Sequence, residues 1–468
     1  MDFKYWITFL PAICLMQAFS QSQITAKNVS VLQLTHDASG HTIHNTECFS
    51  PDDQWIVYDG RNYDSLISST GNISMVKIKT GEIRELYHTT HQTSYGPGVG
   101  AATFSPTAKR VIFIHGIRNS DKNNPYDFTR RTGMAIDVAK PFHPIFMDAR
   151  DITPPFTPGA LRGGTHAHNW SADGEWVSFT YNDYIMQQLE KTDASLKDLR
   201  TVGVMVPGHP VYVAEDSLQE NNSGKMFAIV VAEVTENPKP GSDEIDRAFD
   251  EGWIGSKGYR KNNGKWQRRA IAFQGEVVNS DGSRKTEVFV ADLPGGVTKA
   301  TPGKPLEGTT TSRPNVPAGV RQRRITYTSN GVQGPRHWLR TTRDGSLIAF
   351  LTKDDEGIVQ LFGVSPNGGN IRQLSFNDFS IQGPFNFSPD GKYVAYLADN
   401  SVFVTELSTG ESQRLTPSVS NAQKVTGSVV WSNNGLMLAF NKYVKDKATG
   451  KLFLQIFVVK LNSAFKQK

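Results

Sequence analysis

Along this chain, short apolar runs of alternating period recur behind one polar phrase. An apolar residue, Ser, one further residue and Asp-Gly, or a close variant, precede each run. The phrase reads FSPDDQWIVYDGR from Phe49, FSPTAKRVIFIHG from Phe104, WSADGEWVSFTYND from Trp170, TTRDGSLIAFLTKD from Thr341, FSPDGKYVAYLADN from Phe387 and WSNNGLMLAFNKY from Trp431. Asp-Gly and Asn-Gly tolerate the positive φ that tight hairpin turns need. Alternation with period two places successive side chains on opposite faces of a strand. A third strand often follows (SVFVTEL, EVFVADL, QIFVVKL), and then a fourth ending in SQRLT or IRQLS.

Four short antiparallel strands per unit, repeated at roughly 40–60 residues, are the pattern of a β-propeller. Six units are plain, and a degenerate seventh spans Asn262 to Leu293. The expectation is an all-β propeller of seven blades, or six if that segment is not a blade. The last unit ends after its third strand, KLFLQIFVVKL, while VSVLQLT near the N-terminus has no earlier partner. Pairing the two closes the ring and removes its exposed edges. The Gly-, Pro-, Asn- and charge-rich stretches 185–200, 215–266 and 308–324 read as inserts in a single propeller domain over 21–468.

The composition changes this picture little. With 38% hydrophobic and 20% charged residues over 468 positions, the chain is ordinary globular material. A net charge of +5 is small for this length. It fits a local basic site for an acidic oligosaccharide or small anionic ligand and gives no reason to expect nucleic acid. Lys4, the mainly apolar run Tyr5–Phe19 and the small residues around Ser20 predict a cleaved signal peptide over 1–20, hence a periplasmic or secreted protein. Pro11 and Ile13 fit a lipidation signal at Cys14 badly. No later run of eighteen apolar residues predicts a transmembrane segment. Cys48 would be alone in the mature chain, so no internal disulfide forms. A monomer is expected.

Candidate chemistry lies just ahead of the hairpins, on the innermost strands that line a propeller's channel. Two positions before the aligned apolar residue stand Glu47, Ala102, His168, Leu339, Phe385 and Val429; four before it stand Asn45, Gly100, His166, His337, Gly383 and Gly427. Five before it come His44, Val99, Thr165, Arg336, Gln382 and Thr426. Glycine on three units hollows a mouth that imidazole, guanidinium and amide groups would rim. Loops after the second strands add Arg61, Arg118 and Tyr181 to the same face. Seven of the eleven histidines, His36, His41 and His115 among them, fall there, where random scatter would spread them. Two histidines with one residue between them in a strand project to one side about 6–7 Å apart. His166 and His168, completed by His337 and Glu47, are therefore candidate ligands of one divalent ion, Mn, Zn or Ca. His44, Arg336 and Tyr181 are candidate catalytic groups. Arg61, Arg118, Arg340, Gln382 and Asn45 are candidate anion- or sugar-binding groups.

The hairpin phrases resemble the WD40-like repeats of bacterial TolB-type propellers over nearly the whole mature chain. The His166-x-His168 pair ahead of a hairpin resembles, more locally, the metal site of oligogalacturonate lyases. That resemblance implies a histidine-held manganese that neutralises a uronate carboxylate while a base takes the adjacent proton and the glycosidic oxygen leaves. The chain departs from the pattern at Gly163, where those lyases carry a glutamine. The sequence has no G-x-S-x-G, H-E-x-x-H, phosphate-loop or dinucleotide fingerprint. Two readings follow: a carbohydrate-active, lyase-like enzyme acting on acidic oligosaccharides, or a non-catalytic binding or scaffold propeller serving periplasmic proteins.

Overall fold

The recurring Ser-x-Asp-Gly phrase folds into a turn built by its own side chains. In the computed structural model, which describes residues 29–461, Ser388 Oγ donates to Asp390 at 2.6 Å and accepts the Tyr393 N–H at 3.0 Å. Ser50 does the same with Asp52 and Trp55, and Ser432 with Asn434 and Met437. The fourth residue sits at positive φ: Gly174 at 71°, Gly391 at 71° and Gly435 at 69°, with Asp53 at 54° where the first unit lacks the glycine. The phrase recurs because each copy satisfies the same backbone groups at the same reversal.

Seven such units radiate around one axis. Blade 1 has an inner segment bridged at Thr42 and Phe49, then strands Trp55–Asp59, Asn72–Lys77 and Ile83–His88. Blade 2 comprises Val99–Phe104, Arg110–Gly116, Arg131–Asp137 and Ile145–Phe146; blade 3 comprises Gly163–Trp170, Val177–Asp183, Thr201–Val206 and Phe227–Val230. Blade 4 uses Ile245–Trp253, Ala270–Val278, Arg284–Asp292 and Arg321–Arg324. Blades 5 and 6 begin at Arg340–Thr341 and Asn386–Phe387. Blade 7 joins Val425–Trp431, Met437–Lys445 and Leu452–Leu461 to the N-terminal strand Val29–Gln33, which pairs antiparallel with Leu461–Phe457 and closes the ring as expected.

Alternation in the second strands packs both faces, because each blade lies between two others. In blade 6, Val394, Tyr396 and Ala398 join the cluster shared with blade 5, while Ala395 and Leu397 join the one shared with blade 7. Seven clusters of this kind fill the seven gaps between blades. Apolar burial in each gap, at about 25 cal/mol per Å², holds the ring, and Cys48, the described cysteine, is a free buried thiol.

The seventh unit departs from the sequence expectation. Asn262 to Gly264 is the tip of a small peripheral hairpin, Tyr259–Arg260 with Trp266–Gln267, not the inner turn of a blade. The inner strand of blade 4 is Ile245–Trp253, inside the stretch 215–266 read as an insert. That stretch also holds the outer strand of blade 3, and 308–324 ends in the outer strand of blade 4. The interval 185–200 is a genuine excursion, beginning in the short helix Tyr184–Glu190 capped by Asp183. The expected unit Asn262–Leu293 does hold the second and third strands of blade 4, but the inner strand escaped detection because it ends in GW and is followed by no Ser-x-Asp-Gly turn. Residues 1–20, with the predicted signal peptide and Cys14, lie outside the described residues. No described helix is long and apolar enough to cross a membrane.

Candidate functional site

The inner strands of blades 2, 3 and 4 share a β-bulge at one level. Register shifts at Gly100/Thr103, His166/Asn169 and Phe249/Gly252, with Ala101, Ala167 and Asp250 at φ of 56°, 57° and 50°. A bulge breaks alternation and re-aims the side chains beside it. His166 and His168 therefore do not project as an ordinary x-spaced pair. The His168 ring lies over Gly133 of blade 2, where a Cβ would come within 2.8 Å of Nε2. That Nε2 bonds to Thr165 Oγ1 at 3.0 Å, and Thr165 donates in turn to Asp148 at 2.7 Å. His168 is thus the Nε2–H tautomer, and burial, followed by the charge of Arg131, holds its pKa down to about 3.

His166 is different. It is buried, yet neither ring nitrogen has a hydrogen-bond partner among the described residues. Burial, then Arg131, Arg200, Arg336 and His168, hold its pKa well below the usual imidazole value. The aromatic ring of Phe128 organises this group: its centroid lies 5.8 Å from that of His166, 4.3 Å from the Arg131 guanidinium carbon and 5.0 Å from that of Arg200. The loop bearing Phe128 is seated on blade 3, because Gly164 lets the Phe128 carbonyl approach to 2.1 Å from where a Cβ would stand. Arg131 also stacks on Tyr126 at 4.6 Å. It is buried, and its guanidinium makes no ion pair or hydrogen bond among the described residues. Burial lowers its pKa, and Asp127 and Asp64 act on it only at longer range. Arg200 bonds Asn182 at 3.2 Å. Arg336, exposed at the rim, grips Asp250 through Nε and a terminal nitrogen at 3.1 and 2.9 Å.

In the neighbouring sector, toward blades 1 and 5, the guanidinium groups are paired, although one buried Glu47 carboxyl oxygen has no partner among the described residues. Arg61 is held by Asp59 at 2.7 Å and by Asp64 at 2.6 Å. His44 accepts from Asn45 at 3.1 Å, and Arg340 donates to Asn45 at 2.6 Å and Asn386 at 2.7 Å. Burial, opposed by Arg340, raises the Glu47 carboxyl to about 8, so it is largely protonated at neutral pH. Burial likewise raises Glu251, bonded to Ser178 and Thr180, to about 7.

Several expected site residues stand elsewhere. Tyr181 faces the interior between blades, its hydroxyl on Asp183 at 3.2 Å, beside a cleft of about 610 Å³ between blades 3 and 4. Residues alternate along its strand, and Tyr181 has the parity of Val177 and Phe179, which face blade 2, whereas Ser178 and Thr180 face Glu251 of blade 4. Arg118 lies over Phe146 of the outer strand of blade 2 and bonds the Asn221 carbonyl, because its loop folds outward. Gln382 is exposed and bonds through its backbone. His41 pairs with Asp37, His115 bonds Tyr87 and the Gly116 carbonyl, and His36 is exposed, so these three are not part of the cluster.

The expected metal set does not assemble. Among the described residues no three His, Cys, Asp or Glu side chains converge as a metal-ligating group. His337 donates from Nδ1 to the Pro335 carbonyl at 2.8 Å and accepts the Leu351 N–H on Nε2 at 3.1 Å, which uses both ring nitrogens. Its side chain serves the backbone.

The sequence reading passed over Phe128, Arg131, Arg200, Asp250 and Glu251. Two signals were available. Arg131-Thr132 and Arg200-Thr201 open the third strands of adjacent blades, and AFDEGW in blade 4 aligns with THAHNW in blade 3.

Residues 98–221, which include His166 and Arg131, match a family described as a protein of unknown function, DUF3748. Among solved structures, the chain is similar to an oligogalacturonate lyase in complex with manganese, with a TM-score of 0.52 and 11% identity over 94% of this chain and 95% of that one. It is equally similar, with a TM-score of 0.52, to an oligogalacturonate lyase from Vibrio parahaemolyticus, at 10% identity over 95% and 96% of the two chains. At this identity the likeness establishes the propeller fold alone. Over 416 residues the chain is 40% identical to the uncharacterized protein YidR of Escherichia coli (strain K12), covering 87% of this chain and 94% of that protein. The chain therefore belongs to the YidR family of β-propellers.

Proposed function

We propose that this propeller is a carbohydrate-active protein whose channel mouth takes the carboxylate of an acidic oligosaccharide and acts on it as a lyase. One observation carries the reading: a buried guanidinium without an acidic partner, Arg131, stands beside a buried imidazole with two unpartnered nitrogens, His166. Leaving a buried charge or polar atom unpaired costs several kcal/mol (about 1–3 per polar group, more for charges), a cost that a bound anion offsets. The propeller likeness to oligogalacturonate lyases supports the choice of an acidic sugar.

In this reading Arg131, Arg200 and Arg336 surround the carboxylate and stabilise the enolate that forms when the adjacent carbon loses its proton. His166, neutral and with free ring nitrogens, accepts that proton. The carbon–carbon double bond forms as the glycosidic oxygen departs, taking a proton from solvent. The low basicity of His166 and His168 favours a second reading, capture of the acidic sugar without turnover.

Incubation with oligogalacturonates, followed by the ultraviolet absorbance of unsaturated uronates, tests both. Product formation that is lost in His166→Ala is the expected result. Binding without product leaves capture; neither binding nor product removes the acidic-sugar reading.

A further inference from the structure

The lyase likeness implies a manganese site, and the residues present here do not fit one. Four observations bear on this. First, the position at which the resemblance calls for a glutamine ligand is Gly163, and a Cβ there would stand 2.0 Å from the Asn182 carbonyl oxygen and 2.8 Å from Asp183 Cα. Both atoms are backbone, so no side chain enters without moving the hairpin. Second, His337 has no lone pair left for a ligand, since Nε2 accepts the Leu351 N–H and Nδ1 carries the proton given to Pro335. Third, the bulge at Ala167 turns His168 onto Gly133 and fixes its Nε2 on Thr165, which leaves a single ring nitrogen. Fourth, the histidine with both nitrogens free, His166, has guanidinium groups as neighbours. Arg131 and Arg200 share the Phe128 ring with it, and Arg336 adds a third positive charge.

A divalent cation at His166 would face three permanent positive charges and few oxygen donors. An anion would face the reverse. Arginine presents a fork of N–H donors matched to a carboxylate and stays charged at any working pH, so it supplies the charge neutralisation for which other sites use a metal. Of the three, only Arg336 is tied by a carboxylate, Asp250.

We infer that the channel mouth binds its acidic ligand without a divalent metal ion, with Arg131, Arg200 and Arg336 occupying the electrostatic role of the cation. This rests on the acidic-sugar reading above. The two are separable by titration calorimetry on the full-length protein, stripped with EDTA and exchanged into metal-free buffer, with trigalacturonate and with manganese chloride as separate titrants. The expected result is trigalacturonate affinity within twofold of that of untreated protein, unchanged by added manganese, and no stoichiometric heat from manganese alone. Loss of sugar binding on stripping, restored by manganese, overturns the inference and leaves the acidic-sugar reading standing. One manganese bound per chain at the histidines, abolished in His166→Ala, overturns it whether or not the sugar binds. If the trimer binds in neither state and manganese gives no heat, the acidic-sugar reading fails and the inference falls with it.

Discussion

Two sectors of the channel mouth use the same residue types and end in opposite states. Toward blades 1 and 5, Arg61 is paired with Asp59 and Asp64, while Arg340 bonds Asn45 and Asn386 and Asn45 bonds His44, so that each guanidinium has an oxygen partner. Toward blades 2 to 4, Arg131 has none and His166 has two bare nitrogens. Composition and spacing cannot tell these sectors apart. Satisfied polar groups in the interior are scaffold, whereas a buried charge without a counter-charge, as at Arg131, needs a partner from water or a ligand.

The largest effect that would break this comparison is expected on the paired side. Arg61→Leu leaves Asp59 fully buried, with two backbone N–H groups, that of Ala101 at 2.9 Å and that of residue 61 at 3.2 Å, for its charge. Removing one partner of a buried ion pair costs about 3–5 kcal/mol. Urea denaturation should show a loss of that size. If Arg61→Leu is as stable as wild type, the Arg61 pairing is not structural and the contrast collapses.

On the open side the opposite partition is expected. Arg131→Met keeps a long apolar stem against Tyr126 and Phe128 and removes an uncompensated buried charge, so the melting temperature should hold or rise. Acidic-oligosaccharide affinity should fall by roughly 10- to 150-fold, since a charge-assisted hydrogen bond contributes about 1.5–3 kcal/mol. A variant that melts early and still binds would place Arg131 with Arg61 as scaffold.

How much of this was legible in the sequence depends on what repeats. The turns were readable because Ser388, Asp390 and Gly391, and their equivalents, make local bonds that any copy must preserve. Closure by Val29–Gln33 was readable because a strand without a neighbour has to find one. Blade 4 was misplaced because Ile245–Trp253 lacks the turn phrase, and with it went Asp250 and Glu251. The pairing of His166 with His168 failed for a different reason: strict alternation assumes an unbroken ladder, and Ala167 carries a bulge that no local propensity announces. Arg131 and Arg200 stand at the starts of the third strands of two different blades, and they come together only after blades 2 and 3 are packed. Tyr181 was misassigned because it was read into the loop after the second strand, whereas the strand runs on to Asp183 and packs Tyr181 with Val177 and Phe179 between blades.

A smaller effect sharpens the comparison through pH. His166 is neutral in the free protein because burial and Arg131, Arg200, Arg336 and His168 hold its pKa well below 6.5. A carboxylate bound beside it opposes those positive charges and raises that pKa, so the complex holds more protons than its free components. By linkage, affinity then rises as pH falls toward the bound-state pKa, until the ligand's own carboxylate protonates near its ordinary range of about 3–4. Metal-bridged binding offers no such gain, because the imidazoles are already neutral in this range and a cation beside them lowers their pKa further. Between pH 7 and pH 5 the expected gain is a few-fold. Calorimetry in two buffers of different ionisation enthalpy should therefore register proton uptake on binding. Glu251, raised to about 7, and Glu47, raised to about 8, respond to a nearby anion in the same direction, so wild type must be compared with His166→Ala. Uptake that shrinks in the variant places the titrating group on the open side. Absence of uptake in wild type would instead show that no anion binds beside His166, and the distinction between the two sectors would have to be drawn elsewhere.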